Sequence, residues 1–154
     1  MRTFIVTLVT FLLILSCDEE SPQPVSDPVV GSWNYTNPDL DMNLTFDMTS
    51  VNNEYVLSNI ELDYLDVPDN ATFTTEVYQE GVNEFERILI SASWTVTPCD
   101  DMFCEKWVIV SFWWTSVQEK TVNPKTYQMS VEEMTVGRIN TDQVELEDQV
   151  LIRD

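Results

Sequence analysis

No histidine occurs in the 154 residues. The side chain most often used as a general base and as a metal ligand near neutral pH is therefore missing. Basic residues are scarce as well: seven Lys and Arg stand against 27 Asp and Glu, for a formal net charge of -20. Phosphate backbones are bound by clustered Lys and Arg, so nucleic-acid recognition is excluded. Three glycines leave no phosphate-cradling loop. No Gly-x-Ser-x-Gly marks a hydrolase nucleophile, and no His stands ready to activate a serine or cysteine. Paired carboxylates can act as acid and base, but with 27 acids some pair is inevitable and carries no signal. The composition points away from an enzyme and calls for no cofactor.

What the chain does have is apolar and aromatic surface. Hydrophobic residues make up 44% and aromatics 11%, with five Trp, five Tyr and seven Phe. That is far more than a disordered acidic chain carries. The length suits one domain, which buries roughly two thirds of its unfolded surface.

Alanine occurs only twice, and no window shows a helical apolar stripe. Instead the pattern alternates. Met42, Leu44, Phe46 and Met48 are apolar, and Asn43, Thr45, Asp47 and Thr49 between them are polar. Ile88, Ile90, Ala92, Trp94 and Val96 share a second face; Val144, Leu146, Val150 and Ile152 keep period two around an interruption at Asp148. Such alternation marks strands with one wet face. Nine strands are expected, near 30–36, 42–49, 54–62, 71–78, 84–96, 106–117, 125–131, 133–139 and 143–152. Turn residues separate them, including Asn52-Asn53, Glu80-Gly81, Asn123-Pro124 and Asn140-Thr141-Asp142. The close spacing favours an all-β antiparallel meander, as a barrel of about eight to nine strands or an immunoglobulin-like sandwich.

The opening MRTFIVTLVTFLLILSC holds one charge, Arg2, before an apolar run from Phe4 to Leu15. A membrane-spanning helix needs about 20 apolar residues, so the run is too short for a stable span. A charged start, a short apolar run and a small residue before a break describe a signal peptide over residues 1–16. Residues 17–28 read as an acidic, Pro-rich tether and 29–154 as the β domain. Removing residues 1–16 takes away Arg2, which leaves 27 acids, six bases and a net charge of about -21. Export makes the compartment disulfide-permissive, and Cys99 and Cys104, with four residues between them, suit a hairpin-tip bridge. A redox motif is more often C-x-x-C, and a zinc site needs two further His or Cys ligands.

The strand from Lys106 to Val117 is the most apolar, with Trp107, Ile109 and Trp113 on one face and Val108, Val110, Phe112 and Trp114 on the other. It is expected to be either a central strand covered on both sides or one whose aromatic row meets a ligand or partner. Oxygen ligands for calcium gather in sequence at Asp39, Asp41 and Asn43 and at Asp63, Asp66, Asp69 and Asn70. Neither stretch has EF-hand spacing, and solvated acidic turns are the plainer reading, so no metal site is assigned.

Ile14-Leu15-Ser16-Cys17 resembles the lipobox of bacterial lipoproteins. That resemblance implies cleavage after Ser16 and diacylglycerol on Cys17, with acyl chains holding the protein on a membrane. Asp18-Glu19-Glu20 resemble the acidic export signal of Bacteroidetes surface lipoproteins, whereas in enterobacteria Asp after the cysteine implies inner-membrane retention. An outer-membrane or cell-surface location is the expectation. Val30-Gly31-Ser32-Trp33 resembles the Gly-x-Trp motif of the lipocalin and calycin group, and Met134 to Leu146 is similar to the closing hairpin of its bacterial members. The resemblance implies a barrel with Trp33 plugging one end and a late arginine, here Arg138, stacked on it. It also implies a small apolar or amphipathic ligand in the mouth, lined from Trp94, Trp107, Phe112, Trp113 or Trp114. The other expectation is an interaction lipoprotein that docks to a basic envelope partner through a sheet edge or aromatic patch.

Overall fold

The structure, a computed structural model, describes residues 27–99, 104–138 and 143–153. Cys17, residues 1–16, the tether up to residue 26 and the turn at 139–142 lie outside the described residues. The described chain is all-β: β1 (Gly31–Asn37), β2 (Met42–Val51), β3 (Glu54–Asp63), β4 (Thr72–Gly81), β5 (Glu84–Thr95), β6 (Glu105–Val122), β7 (Lys125–Gly137) and β8 (Gln143–Arg153). They form a single antiparallel sheet in the order β3-β2-β1-β8-β7-β6-β5-β4. β1 joins β8, with Asn34 opposite Ile152 and the Asn34 side-chain amide donating to the Ile152 carbonyl at 3.0 Å. The sheet thus curls so that its first and last strands pair, and its two free edges are β3 and β4.

Local chemistry sets the turns. Asn52 and Asn53 both adopt left-handed backbone between β2 and β3, at φ 54 and 67. Two such residues match the twist of the flanking strands in a two-residue hairpin, and Asn tolerates that region. Asn37 accepts from the backbone amides of Asp39 and Leu40 through its side-chain oxygen, which closes the β1–β2 turn. Between β5 and β6, Cys99 and Cys104 lie with Cα atoms 5.3 Å apart, at disulfide separation, and the Val96 amide donates to the Cys104 carbonyl at 2.8 Å.

One core runs through the interior. Trp33, Leu44, Phe46, Met48, Ile88, Ile90, Phe112, Met129, Met134 and Leu151 all lie within it, fully buried. Burial of this kind, about 25 cal/mol per Å² of apolar area, is the main stabilising term.

The nine expected strands are eight, because 125–131 and 133–139 are one strand, β7. The polar pair Glu132-Glu133 marks a slip in alternation within one strand. Buried residues fall three apart there, at Val131 and Met134. The same slip occurs at the same level on β5 between Phe85 and Ile88, and on β6 between Phe112 and Thr115. Pairing continues across it, with Trp113 opposite Glu133 and Ser116 opposite Ser130. Trp114 and, on β8, Asp148 take left-handed backbone at the slip, with φ 55 and 52. Four neighbouring strands therefore kink along one transverse line, which curves the sheet. Trp114 consequently leaves the inward row it was expected to share with Phe112 and turns outward.

Candidate binding site

Residues 27–30 lead into β1 at the end of the molecule where Trp33 lies. The Trp33 ring is 1% exposed and its Nε1 donates to the Val29 carbonyl at 2.9 Å. Gly31, at φ 148, is in a region side chains avoid, and the Arg153 side chain fills its empty flank: a Cβ there would lie 2.6 Å from Arg153 Cδ. Arg153 Nη1 donates to the carbonyls of Pro28 at 2.9 Å, Asp27 at 3.4 Å and Val30. Its guanidinium lies 4.2 Å from the centroid of the Tyr127 ring. Tyr55 adds a hydroxyl hydrogen bond to Asp27 Oδ2 at 2.8 Å, and partial burial together with that carboxylate pushes the Tyr55 pKa up to about 12.

The arginine expected to stack on Trp33 is Arg138, but the arginine at this end of the molecule is Arg153, which lies over Tyr127 and bonds the carbonyls just before β1. Arg138 follows the last residue of β7, whereas Tyr127, under Arg153, lies near its first. Ten residues of strand separate those levels, roughly 30 Å at about 3.3 Å per residue. Arg138 donates instead to the Leu65 carbonyl at 2.8 Å and lies 3.7 Å from Asp66. The signal for Arg153 was available in its place at the end of the last strand, opposite the first.

The five aromatic residues expected to line one mouth do not gather in one place: Trp94 and Trp107 border one surface groove, and Trp113 and Trp114 another. Phe112 is fully buried in the core. Trp94 is partly buried against that core near the disulfide end. Trp107, 41% exposed, and Trp114, 55% exposed, are on the outside. Trp113 is half-buried there too, with the Arg87 guanidinium 4.9 Å from its ring centroid. Phe112 and Trp94 thus face the core, and Trp107, Trp113 and Trp114 face outward.

A groove opens elsewhere, between the two free edges. It has a volume of about 410 Å³ and is lined by Ile60 and Leu62 of β3, Phe73 of β4, and Val67 and Pro68 of the connecting loop, with Glu61, Asp63 and Asp69 among the wall residues. Residues 64–71 form that loop. It is braced by hydrogen bonds from the Val67 amide to the Tyr64 carbonyl and from the Ala71 amide to the Pro68 carbonyl, and tied to the end of β7 by Arg138. Tyr55, Ile60, Tyr64, Val67, Phe73 and Val77, all partly buried against the core, sit on these edges or this loop. The acidic turns considered for calcium do not converge: among the described residues no three metal-ligating side chains gather in one place. Asp47 carries the one lowered carboxyl pKa resolved among the described residues, held down by hydrogen bonds from Ser32 and Asn59.

No protein-family model matches the chain, and neither does a curated protein or a solved structure.

Proposed function

We propose that this chain is a non-enzymatic, lipid-anchored lipoprotein of the bacterial cell envelope, at the outer membrane or cell surface, that binds a small apolar or amphipathic ligand in the groove between β3 and β4. The observation that carries the reading is the concentration of half-buried apolar side chains along two unpaired edges beside an otherwise filled interior. A groove of about 410 Å³ lies at the small end of ligand sites. Its apolar walls would take a hydrocarbon or aromatic body, and its carboxylates leave room for a polar or cationic head. The lipocalin-like reading is supported by the eight-stranded meander whose first and last strands pair. The anchor would be diacylglycerol on Cys17, tested by palmitate labelling of the wild type against Cys17→Ser.

The groove is tested with N-phenyl-1-naphthylamine, a neutral apolar fluorophore. Saturable binding to one site, weakened at least about tenfold by Val67→Asp and untouched by Trp114→Ser, is the expected result. Binding that Val67→Asp leaves unchanged would remove the groove as the site.

A further inference from the structure

A row of paired residues crosses the outer surface of the sheet: Tyr78, Arg87, Trp113, Glu133 and Glu147, each opposite the next on β4 to β8. Its first half is satisfied. The Arg87 guanidinium lies 4.4 Å from the centroid of the Tyr78 ring and 4.9 Å from that of Trp113. Its second half is not. Glu133 and Glu147 face one another directly, and like charges so placed repel. The transverse kink puts a second outward residue beside each member: Trp114 beside Trp113, Glu132 beside Glu133 and Asp148 beside Glu147. These six residues line a surface groove of about 570 Å³. The ion pairs found among the described residues, Lys125 with Glu119 and Arg138 with Asp66, leave all four of its carboxylates without a cation.

We infer that this groove is a docking site for an arginine side chain presented by a partner protein. A guanidinium is flat enough to lie on an indole and carries donors in a fork that fits carboxylates, whereas an ammonium has no such face. The fold already uses that chemistry on Trp113 through Arg87. Charge complementarity selects a cation, because an occupant of that charge relieves the Glu133–Glu147 repulsion. A second copy of this chain is a poor donor. Its Arg87 is stacked on two rings, its Arg138 bonds Leu65, and its Arg153 is held by three carbonyls. The site lies on a different face from the β3–β4 groove and does not depend on it.

The test is titration of the full chain with an end-capped Gly-Arg-Gly peptide and with its lysine and citrulline counterparts, read by indole fluorescence and calorimetry. The arginine peptide is expected to bind about tenfold more tightly than the uncharged citrulline peptide and severalfold more tightly than the lysine peptide. Trp114→Ser and the double variant Glu133→Gln/Glu147→Gln should each weaken it about tenfold. The double variant removes a repulsion, so its melting temperature is expected to hold or rise, which separates lost binding from lost folding. Equal binding of the citrulline peptide, or affinity unchanged in both variants, would overturn the inference. So would a self-associated chain that Glu147→Lys returns to monomer, since the occupant would then be a second copy.

Discussion

β6 and β4 are strands of the same sheet, yet they meet solvent very differently. β6 lies between β5 and β7, and its Val108, Val110 and Phe112 are wholly buried. β4 lies at an edge, and no residue along it is fully buried, although Phe73 and Val77 are as apolar as their counterparts. Position in the sheet, more than residue type, decides how much each side chain contributes. One side of the molecule is a finished core; the other keeps a partly wetted apolar seam where a ligand can add contacts without displacing packed side chains.

The comparison can be broken most severely at its two phenylalanines. Phe112→Ala should cost about 3–5 kcal/mol in urea denaturation, because the site is closed on all sides. Phe73→Ala should cost about 1 kcal/mol, since much of its transfer term is unrealised in a half-open groove. Equal costs would mean that the seam is packed like the centre. The two arginines sharpen the contrast between the ends. Arg153→Met removes donors from the backbone carbonyls of Asp27, Pro28 and Val30 and is expected to cost about 2 kcal/mol. Arg138→Met loses one hydrogen bond to the Leu65 carbonyl and a carboxylate partner that is fully solvated, and should cost about 1 kcal/mol in the same assay. Replacing both Cys99 and Cys104 by Ser opens only a short loop and should cost at most about 2 kcal/mol, read as a shift in denaturation midpoint.

The smallest effect is in alkali. Tyr55 has a folded pKa of about 12 against an ordinary 10.0, so the folded state holds its proton more tightly than the unfolded chain. Its contribution is complete below pH 10 and declines as pH rises toward 12. Tyr35, raised by burial, acts in the same direction. Denaturation midpoints measured at pH 9 and at pH 11 should therefore differ less in Tyr55→Phe than in the wild type.

Much of the fold was legible in residue order. Alternation placed the start of each of the eight strands within a residue or so, though it split β7 and ended β6 early, and Asn52-Asn53 announced its hairpin because few other pairs accept that backbone. Legibility failed where the period slipped. The expected break between 125–131 and 133–139 falls at Glu132 and Asp148 reads as an interruption, but both belong to one kink that spans several strands, which no single strand's pattern contains. The same slip moved Trp114 outside. The seam was invisible for a related reason. Ile60, Val67 and Phe73 look like ordinary core, and only the strand order, with β1 on β8 and β3 apart from β4, leaves them at an opening.

Amide hydrogen exchange of the folded protein, with and without N-phenyl-1-naphthylamine, is the most direct test of that opening. The expected result is fast exchange at the amides of β3 and β4 that face the seam, slow exchange throughout the centres of β6 and β7, and slowing by the fluorophore confined to β3, β4 and residues 64–71. Seam amides as protected as those beside Phe112 in the free protein, or slowing by the fluorophore that appears around Trp113 and Trp114 instead, would contradict it.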